Sequence, residues 1–268
     1  MLFQYVKTIF RHFLYITGRL DNNGMEFVAH RGYAAHYPEN TILSFQKAIE
    51  AGCLFLECDV QLSVDHVPVI IHDDTIDRTS GKSGSVMEMT AEELSRVNVG
   101  EPSRFGNEFT ITPLPKLAEI IPLLHSYPDV KIFVELKEES LHHFGIDLMV
   151  GKVLEVLKPV KNRCLIISFD YASLESVREH GWNEIGWVLE KWNKESLNKA
   201  NSLLPSYLIC DYKVIPPNKG NIWIGPWEWF LYEITDIDTA LLWNKLGVRY
   251  IETMESGEMI EKLKRKKG

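Results

Sequence analysis

The sequence predicts an α/β protein of the (β/α)8 TIM-type barrel class, and three observations lead to this prediction. The 268 residues are 45% hydrophobic and 25% charged, the composition of a globular protein long enough for one large domain. Short apolar runs alternate with helical patterns from residue 26 to the end, which is typical of such a barrel. One connection is too short for a crossover helix, and this identifies an additional strand as half of a hairpin.

Nine runs have the length and composition of strands, one more than the barrel needs. They are residues 26–30, 54–60, 68–72, 131–137, 164–169, 185–190, 207–211, 230–235 and 248–252. The seven residues between Val60 and Pro68 cannot hold a crossover helix. The run 68–72 is therefore predicted to turn back near Asp65-His66, with His72 roughly opposite Asp59. The other eight runs fill the barrel.

Helical patterns lie between many of these strands. They cover residues 41–51, 116–125, 142–157, 171–180, 195–202 and 237–246. Residues 73–113 are rich in glycine and contain one short helical piece, so they predict a small insertion that acts as a lid or a specificity wall. The basic run 262–267 is expected to be a solvated, fraying end.

The first 25 residues are treated separately from the predicted barrel domain of residues 26–268. Their apolar residues recur at helical spacing, with Lys7, Arg11 and Arg19 between them. The charges are too frequent for a membrane span, and the cleavage site of a secretory signal is missing. Two interpretations stay open: an amphipathic helix that flanks the domain, or one that makes weak contact with a membrane surface.

Charge and cysteine usage limit the class of protein. A net charge of −8 argues against a nucleic-acid binder, which would normally present a basic face. The four cysteines form no CxxC pair and lie in apolar runs. They predict reduced, buried thiols and a cytoplasmic location.

Three carboxylates end two of the predicted strands. Glu57 and Asp59 share one face by the period of two, and Glu135 ends the next barrel strand. Neighbouring carboxylates repel each other unless something positive lies between them. A hard divalent cation, Mg²⁺ or Ca²⁺, is the simplest solution. Ordinary solvated strand ends paired with Arg or Lys are the alternative.

Two histidines are predicted to reach the same carboxylates. His30 ends the first strand, and the hairpin brings in His72. Either could be a metal ligand, a structural residue or an acid–base group. Their convergence favours acid–base catalysis, because an oxygen-rich metal site does not need imidazole. Arg31 offers a planar fork to phosphate oxygens, and Lys137 offers a point charge.

These residues lie in motifs that resemble those of the glycerophosphodiester phosphodiesterases. The motifs, in order, are HRG, PENTILSFQKAIEAG, LECDVQLSVD, PVIIHDDTIDRTS, VELK and ISFD. The resemblance is close over about residues 26–190 and looser beyond them. It implies a divalent cation on Glu57, Asp59 and Glu135, and acid–base roles for His30 and His72.

The resemblance also implies that Arg31 and Lys137 bind the phosphate and that Glu39 of PENT supports the metal shell or Arg31. This sequence departs from the family pattern in three places. The hairpin turn reads Val64-Asp65-His66, Tyr232 replaces the tryptophan expected at the glycerol site, and the final Thr-Asp pair reads Thr253-Met254. All three lie outside the metal and histidine set, so they bear on substrate choice.

The function expected from this resemblance is metal-dependent hydrolysis of small glycerophosphodiesters to sn-glycerol 3-phosphate and an alcohol. A lysophospholipase D-type activity is one alternative, because the amphipathic N-terminus and the aromatic residues in 222–230 would suit a lipid tail. A catalytically silent barrel that binds phosphodiesters is another. The retained histidines and acids argue against it.

Overall fold

The structure, a computed structural model, describes residues 24–216 and 222–267. Its strands are β1 Glu26–Ala29, β2 Phe55–Leu62, β3 Pro68–Ile70, β4 Lys131–Leu136, β5 Cys164–Ser168, β6 Ile185–Val188, β7 Tyr207–Asp211, β8 Glu228–Tyr232 and β9 Tyr250–Thr253. Eight of them pair in parallel and in chain order, and β9 pairs back to β1. The predicted eight-stranded barrel is therefore confirmed.

The helices pack around the barrel or belong to the insertion. They are α1 Ile42–Glu50, α2 Asp77–Ser80, α3 Ala91–Leu94, α4 Pro102–Phe105, α5 Ile120–Ser126, α6 Glu138–Phe144, α7 Ile146–Leu157, α8 Tyr171–Glu179, α9 Lys194–Leu203, α10 Ile237–Lys245 and α11 Ser256–Lys267. The helix predicted over residues 142–157 is two helices, because Gly145 takes a φ of 87° between them.

The C-terminal residues differ from the prediction of a fraying end. Residues 262–267 form the last turns of α11, where Leu263 packs against the core next to Met259 and Ile260 of the preceding turn. These apolar residues share one helical face, so burial holds the segment in place despite its basic composition.

The predicted hairpin is present, but its register differs by one residue. Val60 lies opposite Ile70, and the Ile71 N–H donates to the Asp59 carbonyl oxygen at 3.0 Å. The turn runs from Ser63 to Val67 and is therefore centred on Asp65, not between residues 65 and 66. Asp59 faces Ile71, and His72 comes just beyond the paired residues.

Aromatic and branched side chains fill the barrel below its mouth. The Phe133 ring centroid lies 5.1 Å from that of Tyr207 and 4.9 Å from that of Phe230. The buried interior cluster also contains Val28, Leu165, Ile167, Val188, Ile209 and Tyr250. The alternate residues of the strands, among them Leu56, Val60, Val134 and Leu136, pack against the helices. The barrel interior below the cavity is therefore filled mainly by aromatic and aliphatic side chains.

The insertion after the hairpin has a small core of its own. Ile76, Val86, Leu94 and Val97 are buried together against residues of the hairpin. Arg104 ties this layer to the loop after β1, because its guanidinium donates to the Ala34 carbonyl oxygen. The residues of the predicted insertion therefore form a packed layer against the hairpin.

The predicted N-terminal helix and its membrane contact concern residues that lie, except for the last two, outside the described part of the chain. None of the helices in residues 24–216 and 222–267 is long and apolar enough to cross a bilayer. The four cysteines are free and buried, as predicted.

Candidate active site

A cavity of about 160 Å³ opens at the carboxyl ends of the strands. It brings together eight of the predicted site residues: His30, Arg31, Glu57, Asp59, His72, Glu135, Lys137 and Tyr232. Glu39 is buried behind the cavity, where it accepts a hydrogen bond from Arg31. Glu252, which the sequence analysis did not identify, also lines the cavity.

The register of β2 and β4 places the side chains of Glu57, Asp59 and Glu135 close together. Asp59 on β2 lies directly opposite Glu135 on β4, and Glu57 is two residues away on the same face. One carboxylate oxygen from each lies within 4.8 Å of the other two. A ring nitrogen of His30 and an oxygen of Glu252 make a second such group with Glu57. Burial and the neighbouring carboxylates raise the pKa of Glu57 well above its usual value.

Two cations neutralise only part of this charge. Arg31 Nε lies 3.1 Å from Asp59 Oδ2, and Lys137 Nζ lies 3.0 Å from Glu135 Oε1 and 3.7 Å from Asp59 Oδ1. Although burial opposes it, these cations hold the pKa of Asp59 below its ordinary range. Within the described residues Glu57 forms no ion pair. The donor set therefore fits a divalent cation, which would meet the uncompensated carboxylate and its neighbours.

Two loops with positive φ angles hold the acids in place. Arg31, at φ 54°, donates its backbone N–H to Glu57 Oε2 at 3.0 Å. Asn40, at φ 56°, donates its amide to Asp59 Oδ2 at 2.8 Å and accepts the Asp59 N–H at 3.2 Å. The sequence analysis did not identify Asn40 as a site residue. Its place within the PENT motif is the signal that could have identified it.

The glycine of the HRG motif is required by close packing. Gly32 has a φ of 85°, and a Cβ there would lie 2.4 Å from Ser44 Oγ and 2.7 Å from the Ser44 carbonyl carbon. Gly52 has a φ of 97° but would meet nothing within 4 Å. A comparison of substitutions at Gly32 and Gly52 therefore separates the cost of a positive φ from the cost of steric overlap.

We expect Gly32→Ala to cost about 1–3 kcal/mol of unfolding free energy more than Gly52→Ala. Gly52→Ala carries only the penalty of positive φ, about 1–2 kcal/mol. Denaturant titration of the two variants measures this difference. Equal losses would show that the loop after β1 can move away from Ser44.

A chain of ion pairs connects His72 with Arg31. His72 Nδ1 lies 2.7 Å from Asp73 Oδ1, and both Asp73 oxygens accept hydrogen bonds from Arg78. Arg78 also donates two 2.8 Å hydrogen bonds to Glu39, which accepts another from Arg31 at 3.0 Å. Despite burial, the two guanidiniums lower the pKa of Glu39 to about 2. Glu39 is thus a permanent carboxylate that fixes both arginines.

His30 has a different set of partners. Its Nδ1 lies 2.6 Å from Glu233 Oε2, and Glu233 Oε1 accepts the Met254 N–H at 2.7 Å. Burial alone would lower the pKa of His30, but Glu252 and the Glu233 hydrogen bond raise it above its usual value. Burial and nearby carboxylates raise the pKa of Glu252 to about 8.

Tyr232 ends β8 and lines the cavity. Burial, followed by the nearby Glu252 carboxylate, raises the pKa of its hydroxyl, which therefore stays protonated. A neutral hydroxyl can donate to an oxygen of a bound ligand and accept from another group.

Five residues of the site were missed by the sequence analysis: Asn40, Asp73, Arg78, Glu233 and Glu252. Asp73 follows His72 directly, so the HD pair could have identified it. Glu233 and Glu252 lie at the ends of β8 and β9, where the rule applied to Glu57 and Glu135 would have selected them.

Comparisons with known proteins identify the family that this chain matches. The glycerophosphoryl diester phosphodiesterase family matches residues 30–221. A glycerophosphodiester phosphodiesterase from Caldanaerobacter subterraneus is 32% identical over 213 residues, which are 75% of this chain and 84% of the relative. Glycerophosphodiester phosphodiesterase 1 from Rattus norvegicus is 35% identical over 125 residues, which are 45% of this chain and 38% of that protein.

Solved structures share the fold. A phosphodiesterase from Oleispira antarctica, in complex with the product sn-glycerol 3-phosphate, has a TM-score of 0.77 at 24% identity and covers 89% of this chain and 96% of its own. A glycerophosphodiester phosphodiesterase from Thermotoga maritima has a TM-score of 0.68 at 23% identity, with 89% and 98% covered. The sequence matches and the shared barrel thus agree with the resemblance and with the expected class of enzyme, a phosphoric diester hydrolase. We conclude that this chain belongs to the glycerophosphoryl diester phosphodiesterase family.

Proposed function

We propose that this protein hydrolyses small glycerophosphodiesters to sn-glycerol 3-phosphate and an alcohol, with a divalent cation at Glu57, Asp59 and Glu135. The observation that carries the proposal is the convergence of two histidines, three carboxylates and two cations on one cavity. The cation would be Mg²⁺ or Ca²⁺, because oxygen ligands suit hard ions and leave both histidines free.

In the proposed first step, a glycerol hydroxyl of the substrate attacks phosphorus while one histidine, His30 or His72, accepts its proton. The bond from phosphorus to the second alcohol breaks, and the other histidine protonates the departing oxygen. The product still bound is a cyclic phosphate. A water molecule then opens it, and the two histidines transfer their protons in the reverse direction.

The cationic side chains of the site stabilise the negative charge of the phosphate. Arg31 presents a planar guanidinium to the non-bridging oxygens, and Lys137 adds a second positive charge at the opposite side of Asp59. A divalent cation held by Glu57, Asp59 and Glu135 would supply Lewis-acid stabilisation of the charge on the phosphate. Glu39 supports Arg31 from behind, and Tyr232 contacts the glycerol moiety.

We also propose a cytoplasmic location. It is supported by the four cysteines, which are free and buried as expected in a reducing compartment.

The experiment that tests the reaction is product analysis with glycerophosphocholine and lysophosphatidylcholine side by side. We expect glycerol 3-phosphate and choline from the soluble diester. Turnover of lysophosphatidylcholine alone would favour the lysophospholipase D-type alternative, and no turnover of either substrate with added Mg²⁺ or Ca²⁺ would favour the silent barrel. The family relatives favour the phosphodiesterase over both alternatives.

Arg78 tests the ion-pair chain behind the cavity. Arg78→Met removes the hydrogen bonds that hold Asp73 and Glu39, and therefore loosens both His72 and Arg31. We expect kcat to fall about 10–100-fold, the cost of a small misplacement of reacting groups. Arg96→Met is the matched control, because the ion pair of Arg96 among the described residues is with exposed Glu92 in the same insertion. Wild-type kcat in the Arg78 variant would show that these ion pairs do not position His72 and Arg31 for catalysis.

A further inference from the structure

His30 Nδ1 contacts the carboxylate of Glu233, which lies outside the six motifs that resemble the family. Glu233 follows β8, and its two oxygens lie 2.6 Å from His30 Nδ1 and 2.7 Å from the Met254 backbone nitrogen. The Met254 N–H fixes one oxygen, so the other cannot rotate away from the imidazole. Glu233 therefore bridges the loop after β9 and the histidine after β1.

The two histidines of the cavity differ in how their supporting carboxylates are paired. Asp73, which supports His72, also accepts two hydrogen bonds from the Arg78 guanidinium. Glu233 pairs with no Lys or Arg within the described residues, so its charge acts on His30. An ionised carboxylate can only accept hydrogen bonds, and the 2.6 Å contact therefore requires a proton on Nδ1.

We propose that Glu233 is a positioning residue that holds His30 in the tautomer with its proton on Nδ1, so that Nε2 is the nitrogen available in the cavity. The proposal deepens the proposed function and rests on the acid–base role given there to His30. Glu233 directly follows Tyr232, which ends β8 and lines the cavity, so this end of β8 would contribute a positioning residue as well.

A glutamine at position 233 could not hold His30 in the same tautomer. Both partners of Glu233 are N–H donors, and a carboxylate has an acceptor oxygen for each. A glutamine has one oxygen and one NH₂ group. If its oxygen stays on Met254, its NH₂ faces His30, and Nδ1 must become an acceptor. The proton then moves to Nε2, the nitrogen that should be free.

The test is Glu233→Gln, with Glu258→Gln as a matched control. Glu258 also pairs with a histidine, His36, and accepts a hydrogen bond from Tyr33, but it does not line the cavity. We expect kcat of the Glu233 variant to fall by about 100-fold or more, as when a catalytic histidine loses its orienting carboxylate. We expect KM to change far less than kcat, because Glu233 does not contact the substrate. The Glu258 variant keeps the wild-type kcat.

The tautomer is read directly from the ¹⁵N resonances of the His30 imidazole, identified by their loss in His30→Asn. In the wild-type protein at a pH where the ring is neutral, we expect the N–H on Nδ1. In Glu233→Gln we expect it on Nε2. Glu233→Asp, whose carboxylate restores the acceptor at a shorter reach, should restore the Nδ1–H form and part of kcat.

Two results would overturn the inference: wild-type kcat in Glu233→Gln, or the same His30 tautomer with and without the Glu233 carboxylate. These failures differ from a failure of the proposed function. If His30→Ala stays active, His30 has no acid–base role. If His30→Ala is inactive and Glu233→Gln is not, only the role of Glu233 is wrong. Thermal melting of each variant identifies any that fails to fold.

Discussion

His30→Ala and His72→Ala should each lower kcat on a soluble glycerophosphodiester by about two orders of magnitude or more. Each substitution removes one of the two groups that transfer protons in the proposed reaction. Neither imidazole is part of the apolar core, so the free energy of unfolding should change much less than the activation free energy. Steady-state kinetics and thermal melting of the purified variants measure the two effects.

The matched control is His125→Ala, an exposed histidine on α5 that lies outside the cavity. It should keep the wild-type kcat. If either cavity variant retained more than about a tenth of the wild-type rate, the acid–base role of that histidine would be wrong.

The second large effect concerns the acids, and here two neighbours on one strand should behave in opposite ways. Burial and surrounding carboxylates raise the pKa of Glu57, so its charged form destabilises the metal-free fold. The pKa of Asp59 is lowered despite burial, because Arg31 and Lys137 stabilise its charge. Its charge therefore stabilises the fold at neutral pH.

In the presence of EDTA at neutral pH, Glu57→Gln should raise the free energy of unfolding by about 0.5–2 kcal/mol, the usual gain from relieving strain at a functional site. Asp59→Asn should lower it by about 3–5 kcal/mol, since it removes the buried carboxylate that Arg31 and Lys137 share. Both variants should lose the stabilisation that the wild-type protein gains from Mg²⁺ or Ca²⁺, about 2.7 kcal/mol at 100 times the Kd.

Denaturant titrations with EDTA and with each metal measure these differences. Shifts of the same sign in EDTA would contradict the charge balance described for the cavity. An unchanged metal titration in one variant would remove that residue from the ligand set.

The barrel was predictable because its pattern is local. Strand and helix periodicity, together with the short connection before Pro68, lead to eight parallel strands and one hairpin, and the structure has both. The errors have local causes as well. A turn centred on one residue shifted the register by one, and Leu263 packs on the core, so the C-terminal helix continues through the basic run.

The cavity residues were predictable where a strand end and a recognisable motif coincide, as at Glu57 and Glu135. Glu233 and Glu252 lie at strand ends but in no recognisable motif. Only the structure shows that they lie next to His30. Arg78 lies in the insertion, and its contact with Glu39 joins residues 39 apart. The periodicity of a sequence does not predict such a long-range ion pair.

The measurement that tests the central claim most directly is hydrolysis of glycerophosphocholine by chelator-treated protein, before and after Mg²⁺ or Ca²⁺ is added. We predict no release of glycerol 3-phosphate in the chelator and restored release with at least one of the two cations. Full activity in the chelator would contradict the metal-dependent mechanism, and so would a lack of turnover with either cation.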